Sequence, residues 1–301
     1  MEETIMSDCT LCPRNCASNR EAGVKGFCGE SKDIRIARAA LHFWEEPVIS
    51  GQKGSGAVFF TGCNLKCIFC QNTSVASNKV GAVVSKERLA DIFMELEKQG
   101  AVNINLVTAS HYAPQVADVI RMAKQKGLQL PIVYNTSSYE RAESLRLLEG
   151  LVDVYLPDMK YMDSGMAERY SNAEDYPQIA KEAIAEMFRQ VGEPVFDESG
   201  NLIKRGMIVR HLVMPGAVKN AKQVIDYLLD TYGDAIYISL MNQYTPMKDF
   251  EKYPELNRRV TRREYERVIS YALDKGIKNA FIQEGETAKE SFIPEFNLTG
   301  V

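Results

Sequence analysis

The stretch AVFFTGCNLKCIFC, residues 57–70, decides the predicted fold, because a run of apolar residues ends there in a loop with three cysteines. The run AVFFTG (57–62) is apolar without alternation, as expected of a parallel strand that is buried on both faces. From this point to residue 283, short apolar runs alternate with amphipathic segments. The alternation predicts strand–helix units built around a parallel sheet.

The predicted elements follow one another in regular order. Apolar runs predict strands over residues 57–62, 103–109, 131–137, 152–160, 207–216 and 235–246, and a further one over 279–283. Amphipathic segments predict helices over residues 85–100, 114–127, 139–150, 165–172, 174–191, 217–232 and 261–275. Residues 193–206 predict a hairpin instead. Six strand–helix repeats indicate an α/β fold, a partial (βα)6 TIM-like barrel, with a doubly wound open sheet as the alternative.

Two regions are expected in the chain of 301 residues: a small cysteine-rich N-terminal region over 1–56 and the barrel over 57–301. A content of 45% hydrophobic and 25% charged residues is ordinary for a soluble globular protein. The sequence has no apolar run of the ~20 residues that a membrane span needs, and its acidic start lacks the pattern of a signal peptide. We therefore expect a cytoplasmic protein that does not bind membranes. The net charge of −4 argues against a nucleic-acid partner.

The cysteines of the loop are Cys63, Cys67 and Cys70, at the predicted carboxyl end of the first barrel strand, where ligands of such folds gather. In a reducing cytoplasm, clustered cysteines are more often metal ligands or redox groups than disulfides. A structural zinc site usually has four protein ligands. Three thiolates in the spacing C-x3-C-x2-C leave one position open, which favours an iron–sulfur cluster that binds something else. Zinc or buried thiols are the alternative.

This loop, with Phe69 directly before its last cysteine, resembles the radical S-adenosylmethionine (SAM) superfamily. The wider GCNLKCIFCQN is similar to the activating enzymes of glycyl-radical enzymes, such as pyruvate formate-lyase activating enzyme. The resemblance implies a [4Fe–4S] cluster on the three cysteines, with SAM chelated at the fourth iron. One electron then cleaves SAM to a 5′-deoxyadenosyl radical that abstracts hydrogen from a substrate. A reductant such as flavodoxin or ferredoxin, and a glycyl-radical enzyme or other protein substrate, are the implied partners.

Residues after the other predicted strands can be compared with the same family one by one. Activating enzymes have a Gly-Gly-Glu-Pro-like segment after the second strand, and this chain departs from it with VTASHY, residues 107–112. Ser110 and His111 are then expected to contribute side chains to the cofactor site, and a loop histidine without a chemical task is the alternative. Asn135 and Thr136 resemble a segment that contacts the ribose and carboxylate of the cofactor.

Two further strand ends match the family. LPDMK at the fourth strand is similar to Leu-Asp-Leu-Lys, which implies that Lys160 faces the SAM carboxylate. Asp158, with Thr136 and Asn135, would help to bind a monovalent cation, and a surface salt bridge between Asp158 and Lys160 is the alternative. Arg210 begins RHLVMPG, which is similar to Arg-Tyr-Val-Val-Val-Pro-Gly, and would clamp a carboxylate or the substrate through its paired donors.

The N-terminal region has four cysteines of its own, Cys9, Cys12, Cys16 and Cys28, which are enough to close a metal site. A second [4Fe–4S] cluster and a structural zinc ion are the two interpretations. A metal-free role, or a place in the substrate site at the barrel mouth, stays open.

The connection from residue 42 to 56 contains the chain's one tryptophan, Trp44, beside His42, Glu45 and Glu46. This segment is either a lid or substrate contact, or a polar connector with one packed aromatic residue.

Three functions are consistent with these observations. The first is a radical SAM enzyme that activates a glycyl-radical enzyme by abstracting hydrogen from a glycine. The second is a radical SAM enzyme that acts on a small molecule or a peptide, as an epimerase or dehydrogenase does. The third is a non-catalytic iron–sulfur electron carrier, which needs neither a barrel nor an open iron.

Overall fold

Ten strands form one sheet in the computed structural model, which describes residues 2–283 and 293–301. The strands are β1 (Arg35–His42), β2 (Ser55–Phe60), β3 (Ala82–Val83), β4 (Ile104–Val107), β5 (Ile132–Thr136), β6 (Val154–Pro157), β7 (Val195–Phe196), β8 (Ile203–Leu212), β9 (Tyr237–Met241) and β10 (Ala280–Ile282). Along the sheet their order is β10-β9-β8-β6-β5-β4-β2-β1-β3, with β7 paired to β8.

Helices connect and flank these strands. They are α1 (Glu2–Ser7), α2 (Pro47–Ser50), α3 (Thr73–Ala76), α4 (Lys86–Lys98), α5 (Ala113–Gln125), α6 (Ala142–Leu145), α7 (Ser164–Ser171), α8 (Tyr176–Val191), α9 (Val218–Tyr232) and α10 (Arg262–Asp274). A capping box stabilises the start of α10, since the side chains of Thr261 and Glu264 each accept a hydrogen bond from the other's backbone N–H. In the described part of the chain, no helix combines the length and the apolar character that crossing a membrane requires.

Seven strands lie side by side and run parallel, in the order β2, β4, β5, β6, β8, β9 and β10. The short strand β7 pairs antiparallel with β8. Each pairs in register with its neighbour, as when Val107 lies opposite Phe59 and Asn135 opposite Val107. The predicted α/β fold, a mostly parallel sheet consistent with a partial TIM-like barrel, is confirmed. The parallel arrangement brings all the carboxyl ends of these strands to one edge, where ligands bind in such folds.

The sheet begins earlier in the chain than residue 57. β1 lies in the predicted N-terminal region, yet it pairs antiparallel with β2, with Ala40 opposite Ala57. The C-terminal residues lie along β1, because the Ala39 N–H donates to the Thr299 carbonyl at 2.9 Å and the Leu298 N–H donates to the Ala37 carbonyl at 3.1 Å. Residues 35–42 are therefore structurally part of the barrel sheet, and the cysteine-rich segment precedes them.

The predicted helix over 139–150 is shorter than expected. Only Ala142–Leu145 is α-helical, followed by a 3-10 turn over Arg146–Leu148. The first part is not helical because Arg141 is extended and the Glu140 side chain reaches back to β5, where the Tyr134 hydroxyl donates to it at 3.0 Å. Helical periodicity in the sequence does not reveal such a competing side-chain contact.

A short apolar helix fills the inside of the sheet. Ile49 of α2 packs in one buried cluster with Val133, Val154, Leu156 and Ile208, and Ile203 completes the set. Ile132 and Tyr134, which alternate with Val133 along β5, belong instead to the large core beneath the outer helices. The connection between β1 and β2 therefore enters the lumen, and this determines the position of the two acidic residues in front of α2.

Candidate functional site

A cavity of about 260 Å³ lies at the carboxyl ends of the parallel strands. Its lining includes the loop cysteines Cys63, Cys67 and Cys70. It also includes five of the seven residues expected to bind the cofactor, namely Asn135, Thr136, Asp158, Lys160 and Arg210. The strand ends thus bring together residues that are up to about 150 positions apart in the sequence.

Arg14 holds the cysteine loop in place. Its guanidinium donates to the carbonyls of Asn64 at 2.8 Å and Leu65 at 3.3 Å, and to that of Ser171 at the end of α7 at 2.9 Å. The same group lies 4.2 Å from the ring centre of Phe27, a cation–π contact. A residue of the N-terminal segment therefore ties the loop to the outer helices.

Two of the loop sulfurs accept hydrogen bonds. The Ser171 hydroxyl donates to Cys67 Sγ at 3.1 Å, and the Leu65 N–H donates to Cys63 Sγ at 3.4 Å. Burial raises the pKa of Cys67, and the bond from Ser171 opposes this effect by favouring the thiolate, the form that ligates a metal.

Arg210 is the centre of a buried charge network. Its guanidinium donates to Asp158 at 3.0 Å, to Glu45 at 3.1 Å and to the Asn135 side-chain oxygen at 2.6 Å. Lys160 donates to the other Asp158 oxygen at 2.5 Å. Burial alone would raise the pKa of Asp158, but the charges of Lys160 and Arg210 hold it below its ordinary value. The pair of Asp158 and Lys160 is therefore not a surface salt bridge.

The residues of the expected monovalent-cation site make hydrogen bonds to neighbouring side chains. Both Asp158 oxygens already accept hydrogen bonds, one from Arg210 and one from Lys160. The Thr136 hydroxyl donates to Glu140. Each of these oxygens keeps a further lone pair, so the monovalent-cation site stays a prediction.

The segment in front of α2 supplies two carboxylates to the lumen. Glu45 accepts from Asn105 at 3.1 Å and from Asn135 at 3.2 Å, in addition to its ion pair with Arg210. Glu46 is 8% exposed, and its Oε2 has no hydrogen-bond partner among the described residues. Burial raises the pKa of Glu46. The segment is thus a lumen plug. Sequence reasoning singled out both acids but missed the ion pair of Glu45 with Arg210.

A second cavity, of about 660 Å³, adjoins the first. Glu46, Ser239 and Gln283 line it, while Trp44, Glu45, Arg210, Met241 and Gln243 line both cavities. The two spaces therefore meet at Arg210 inside the barrel. Volumes of this size are typical of small-molecule sites.

The structure does not bring Ser110 and His111 to the cavity. Both are buried in a 3-10 turn, and His111 Nε2 lies 2.7 Å from the Thr61 carbonyl. Burial and the nearby charge of Arg20 lower the pKa of His111 to about 3, so its ring is neutral. Val107 and Thr108 line the cavity at this strand end instead. Thr108 has a left-handed backbone with φ of 62°, which is unusual for a β-branched residue.

The N-terminal cysteines are not among the residues that line either cavity. Cys9 and Cys28 are buried, and Cys12 and Cys16 are half-buried. They lie behind the cysteine loop, where the Cys63 N–H donates to the Cys28 carbonyl at 3.4 Å. The two groups of thiols are therefore neighbours, and the N-terminal group lies away from both cavities.

Comparison with known proteins agrees with this geometry. Residues 57–203 match the sequence profile of the Radical SAM superfamily. This chain has a radical SAM domain. An uncharacterized protein of Methanocaldococcus jannaschii is 29% identical over 279 residues, which are 90% of this chain and 75% of the relative.

Solved structures with a similar fold include a domain of pyruvate-formate lyase-activating enzyme from Bacteroides vulgatus. It is 16% identical, with a TM-score of 0.39, over 57% of this chain and 91% of that domain. SuiB of Streptococcus suis, solved with S-adenosylmethionine, is 11% identical with a TM-score of 0.49 over 74% of this chain and 48% of SuiB.

The donor set of the radical SAM domain fits the cofactors that its family implies, a [4Fe–4S] cluster and SAM. Three sulfurs surround one side of a cavity, and no fourth cysteine lines it in the part of the chain that the structure describes. Within that part, no three His, Cys, Asp or Glu side chains are arranged to hold a single metal ion. The loop is therefore not preformed for zinc, and three thiolates beside a cavity suit a cluster with one open iron.

Gly62, directly before the first loop cysteine, allows the radical SAM domain to contact the N-terminal segment. Its φ is 89°, and an added methyl group would lie 2.9 Å from the Cys28 carbonyl. We expect Gly62→Ala to lower the free energy of unfolding by at least ~2 kcal/mol, since left-handed strain and overpacking both act. Gly276→Ala is the matched control, because Gly276 has φ of 82° and open space around it. Urea denaturation measures both, and equal losses would contradict the close contact at Gly62.

Glu140, below the Thr136 end of the cavity, predicts a pH dependence of stability. Burial raises the pKa of Glu140 from 4.5 to about 7, although Thr136 and Tyr134 donate to it. The folded state thus keeps a proton that the unfolded chain has lost, so its stability falls by ~3 kcal/mol as pH rises from 4.5 to 7. Glu140→Gln should remove this fall. Urea denaturation at a series of pH values tests it, and an equally steep fall in the variant would count against the assignment.

Proposed function

We propose that this protein is a radical SAM enzyme that cleaves SAM reductively and uses the 5′-deoxyadenosyl radical to abstract hydrogen from a substrate. The observation that supports the proposal most directly is the shared cavity of Cys63, Cys67, Cys70, Lys160 and Arg210. A cluster on three thiolates supplies the electron that breaks the sulfonium bond of SAM when both are bound. An electron carrier would not need a cavity beside the cluster site.

The side chains around the cavity have separate tasks in this proposal. The three cysteines hold the cluster, and the Ser171 hydroxyl and the Leu65 N–H donate hydrogen bonds to the sulfurs of Cys67 and Cys63. Lys160 has three N–H donors and uses one for Asp158, which leaves two for the SAM carboxylate. Asn135 is held by Arg210 and Glu45, so its position at the strand end is fixed before the cofactor arrives.

The barrel also excludes water from the site of the chemistry. Strands form the walls, and the α2 plug closes the lumen with Ile49 packed against Val133 and Ile208. Ile293 and Pro294 of the C-terminal segment line the same cavity as the loop cysteines. Excluding water protects a reactive intermediate from side reactions.

Activation of a glycyl-radical enzyme, with flavodoxin or ferredoxin as the reductant, remains our first proposal for the substrate. The second is a small molecule or a peptide side chain. The cavity of about 660 Å³ that meets the cofactor cavity at Arg210 favours this second candidate, because its size is that of a small-molecule site. Glu46 and Ser239 supply polar groups there that would orient such a substrate.

The enzyme proposal is tested by anaerobic assay. Protein reconstituted with iron and sulfide, then given dithionite and SAM, should release 5′-deoxyadenosine and methionine in equal amounts by chromatography. The same protein without reconstitution is the blank. No 5′-deoxyadenosine above the blank would refute the proposal.

The two substrate classes separate in a further experiment. Candidate glycyl-radical enzymes are incubated with the active protein, and a glycyl radical signal in electron paramagnetic resonance (EPR) would support the first class. For the second class, transfer of deuterium from a labelled small molecule or peptide into 5′-deoxyadenosine is the expected result. Deuterium transfer without any glycyl signal would reject the activase proposal.

A further inference from the structure

The first thirty residues gather four thiols behind the radical SAM loop. The Ala17 N–H donates to the Cys9 carbonyl at 3.1 Å, which folds the cysteine segment back on itself. Gly26 lies between two of the sulfurs, because a methyl group added there would be 3.1 Å from Cys16 Sγ and 3.7 Å from Cys28 Sγ. Cys16 and Cys28 therefore lie close together at Gly26, and Cys12 lies within electrostatic range of both Cys28 and Cys9.

A buried cation without a carboxylate lies beside these thiols. Arg20 is 1% exposed, and its guanidinium donates to the carbonyls of Ser31 at 2.7 Å and His111 at 2.7 Å. A third contact is to Cys9 Sγ at 3.7 Å. In the part of the chain that the structure describes, no carboxylate forms an ion pair with Arg20. A buried charge costs several kcal/mol unless an opposite charge compensates it. Four neutral thiols would not compensate Arg20, whereas four thiolates on a metal centre would.

The arrangement of the thiols distinguishes between the two kinds of metal centre. Zinc needs four sulfurs at ~2.3 Å from one point. No set of three or more cysteines among residues 2–283 and 293–301 is arranged to hold a single ion. The three cysteines of the radical SAM loop are not arranged to hold a single ion either. For that loop the family implies a cluster, which holds its cysteines farther apart than one zinc ion does. Like the loop, the N-terminal group is therefore not preformed for a single zinc ion.

We propose that Cys9, Cys12, Cys16 and Cys28 hold a second iron–sulfur cluster with four protein ligands, directly behind the first. The Cys63 N–H donates to the Cys28 carbonyl at 3.4 Å, so one backbone contact joins a ligand of each cluster. Arg14, two residues after Cys12, donates to the Asn64 carbonyl within the loop. The N-terminal cysteine segment is therefore attached to the loop by one backbone contact and one side-chain contact.

This position suits a relay of single electrons. A small low-potential electron-carrier protein is oxidised by one electron, the N-terminal cluster is reduced by it, and the electron then passes to the cluster on the loop. No atom is transferred and no bond is broken in this step. The relay rests on the proposed function, whereas the presence of the cluster does not.

The experiment uses the full chain, reconstituted anaerobically with iron and sulfide in the presence of equimolar zinc. Iron and zinc are counted in the wild type and in the triple variant Cys63→Ala, Cys67→Ala, Cys70→Ala. We expect ~8 iron atoms per chain in the wild type and ~4 in the triple variant, with less than 0.2 zinc in both. One zinc in the triple variant without iron, or neither metal, would overturn the proposal. Release of 5′-deoxyadenosine plays no part in this readout, so the proposed function can fail separately.

EPR tests the contact between the clusters. In the dithionite-reduced wild type, spin–spin broadening should appear, and in the triple variant it should be replaced by one narrow signal that SAM does not change. A wild-type spectrum that is the plain sum of two narrow signals would exclude the adjacent position.

The charge of Arg20 gives an independent readout. Arg20→Gln in the triple variant should lower the reduction potential of the remaining signal, because a positive charge favours the reduced cluster. Lys25→Gln, at an exposed position of the same segment, is the control. A merely structural role of Arg20 would leave the potential of the folded fraction unchanged, and this result would refute the charge argument.

Discussion

Replacing Arg210 by methionine is expected to lower the free energy of unfolding by about 3–5 kcal/mol, the cost of removing one partner from a buried ion pair. Arg210 is the cation that pairs with Glu45 in the described part of the chain, and it shares Asp158 with Lys160. The variant leaves Glu45 with amide donors from Asn105 and Asn135 but without an opposite charge. The loss should therefore exceed that of any exposed pair.

The measurement is urea denaturation at pH 8, with Arg205→Met as the matched control. Arg205 is an exposed arginine on the same strand, β8, and its loss should change stability by less than ~0.5 kcal/mol. Adding Glu45→Gln to Arg210→Met should restore part of the stability, since it removes the uncompensated carboxylate. Additive losses in the double variant would show that the ion pair is not the cause.

The ion pair of Glu45 and Arg210 shows what the sequence alone does not predict. The strands that carry Asn135, Asp158 and Arg210 are predictable because local apolar runs identify them, and parallel strands place their carboxyl ends together. The sequence marks Glu45 as a polar residue of interest, but its ion pair depends on α2 entering the lumen. No periodicity marks the four residues of α2 as a plug, because the apolar Ile49 would fit either face of the sheet.

The segment after β4, the second predicted barrel strand, is less predictable for a different reason. Ser110 and His111 have the side chains that cofactor sites use, and the resemblance aligned them with a binding segment. The chain instead turns at Thr108, whose left-handed backbone directs the following residues into a buried 3-10 turn. A β-branched residue gives no sequence signal for this conformation, which tertiary contacts impose.

Lys160→Met should weaken SAM binding by tenfold to a hundredfold while changing stability little. The ammonium has two donors left after its bond to Asp158, and a charge-assisted hydrogen bond to a carboxylate contributes about 1.5–3 kcal/mol. Asp158 keeps its ion pair with Arg210 in the variant, so the folded state loses one of two partners rather than both. This separates Lys160 from Arg210, whose loss acts mainly on stability.

Equilibrium dialysis of labelled SAM against anaerobic, reconstituted protein measures this effect. Iron content must match the wild type, because Lys160 lies near Cys67 and a change in cluster loading would also weaken binding. Lys204→Met, an exposed lysine on β8, is the control and should bind SAM like the wild type. Unchanged affinity in Lys160→Met with full iron content would remove Lys160 from the carboxylate contact. The network of Asp158, Lys160 and Arg210 would then be structural alone, and another donor at the cavity would have to bind the cofactor.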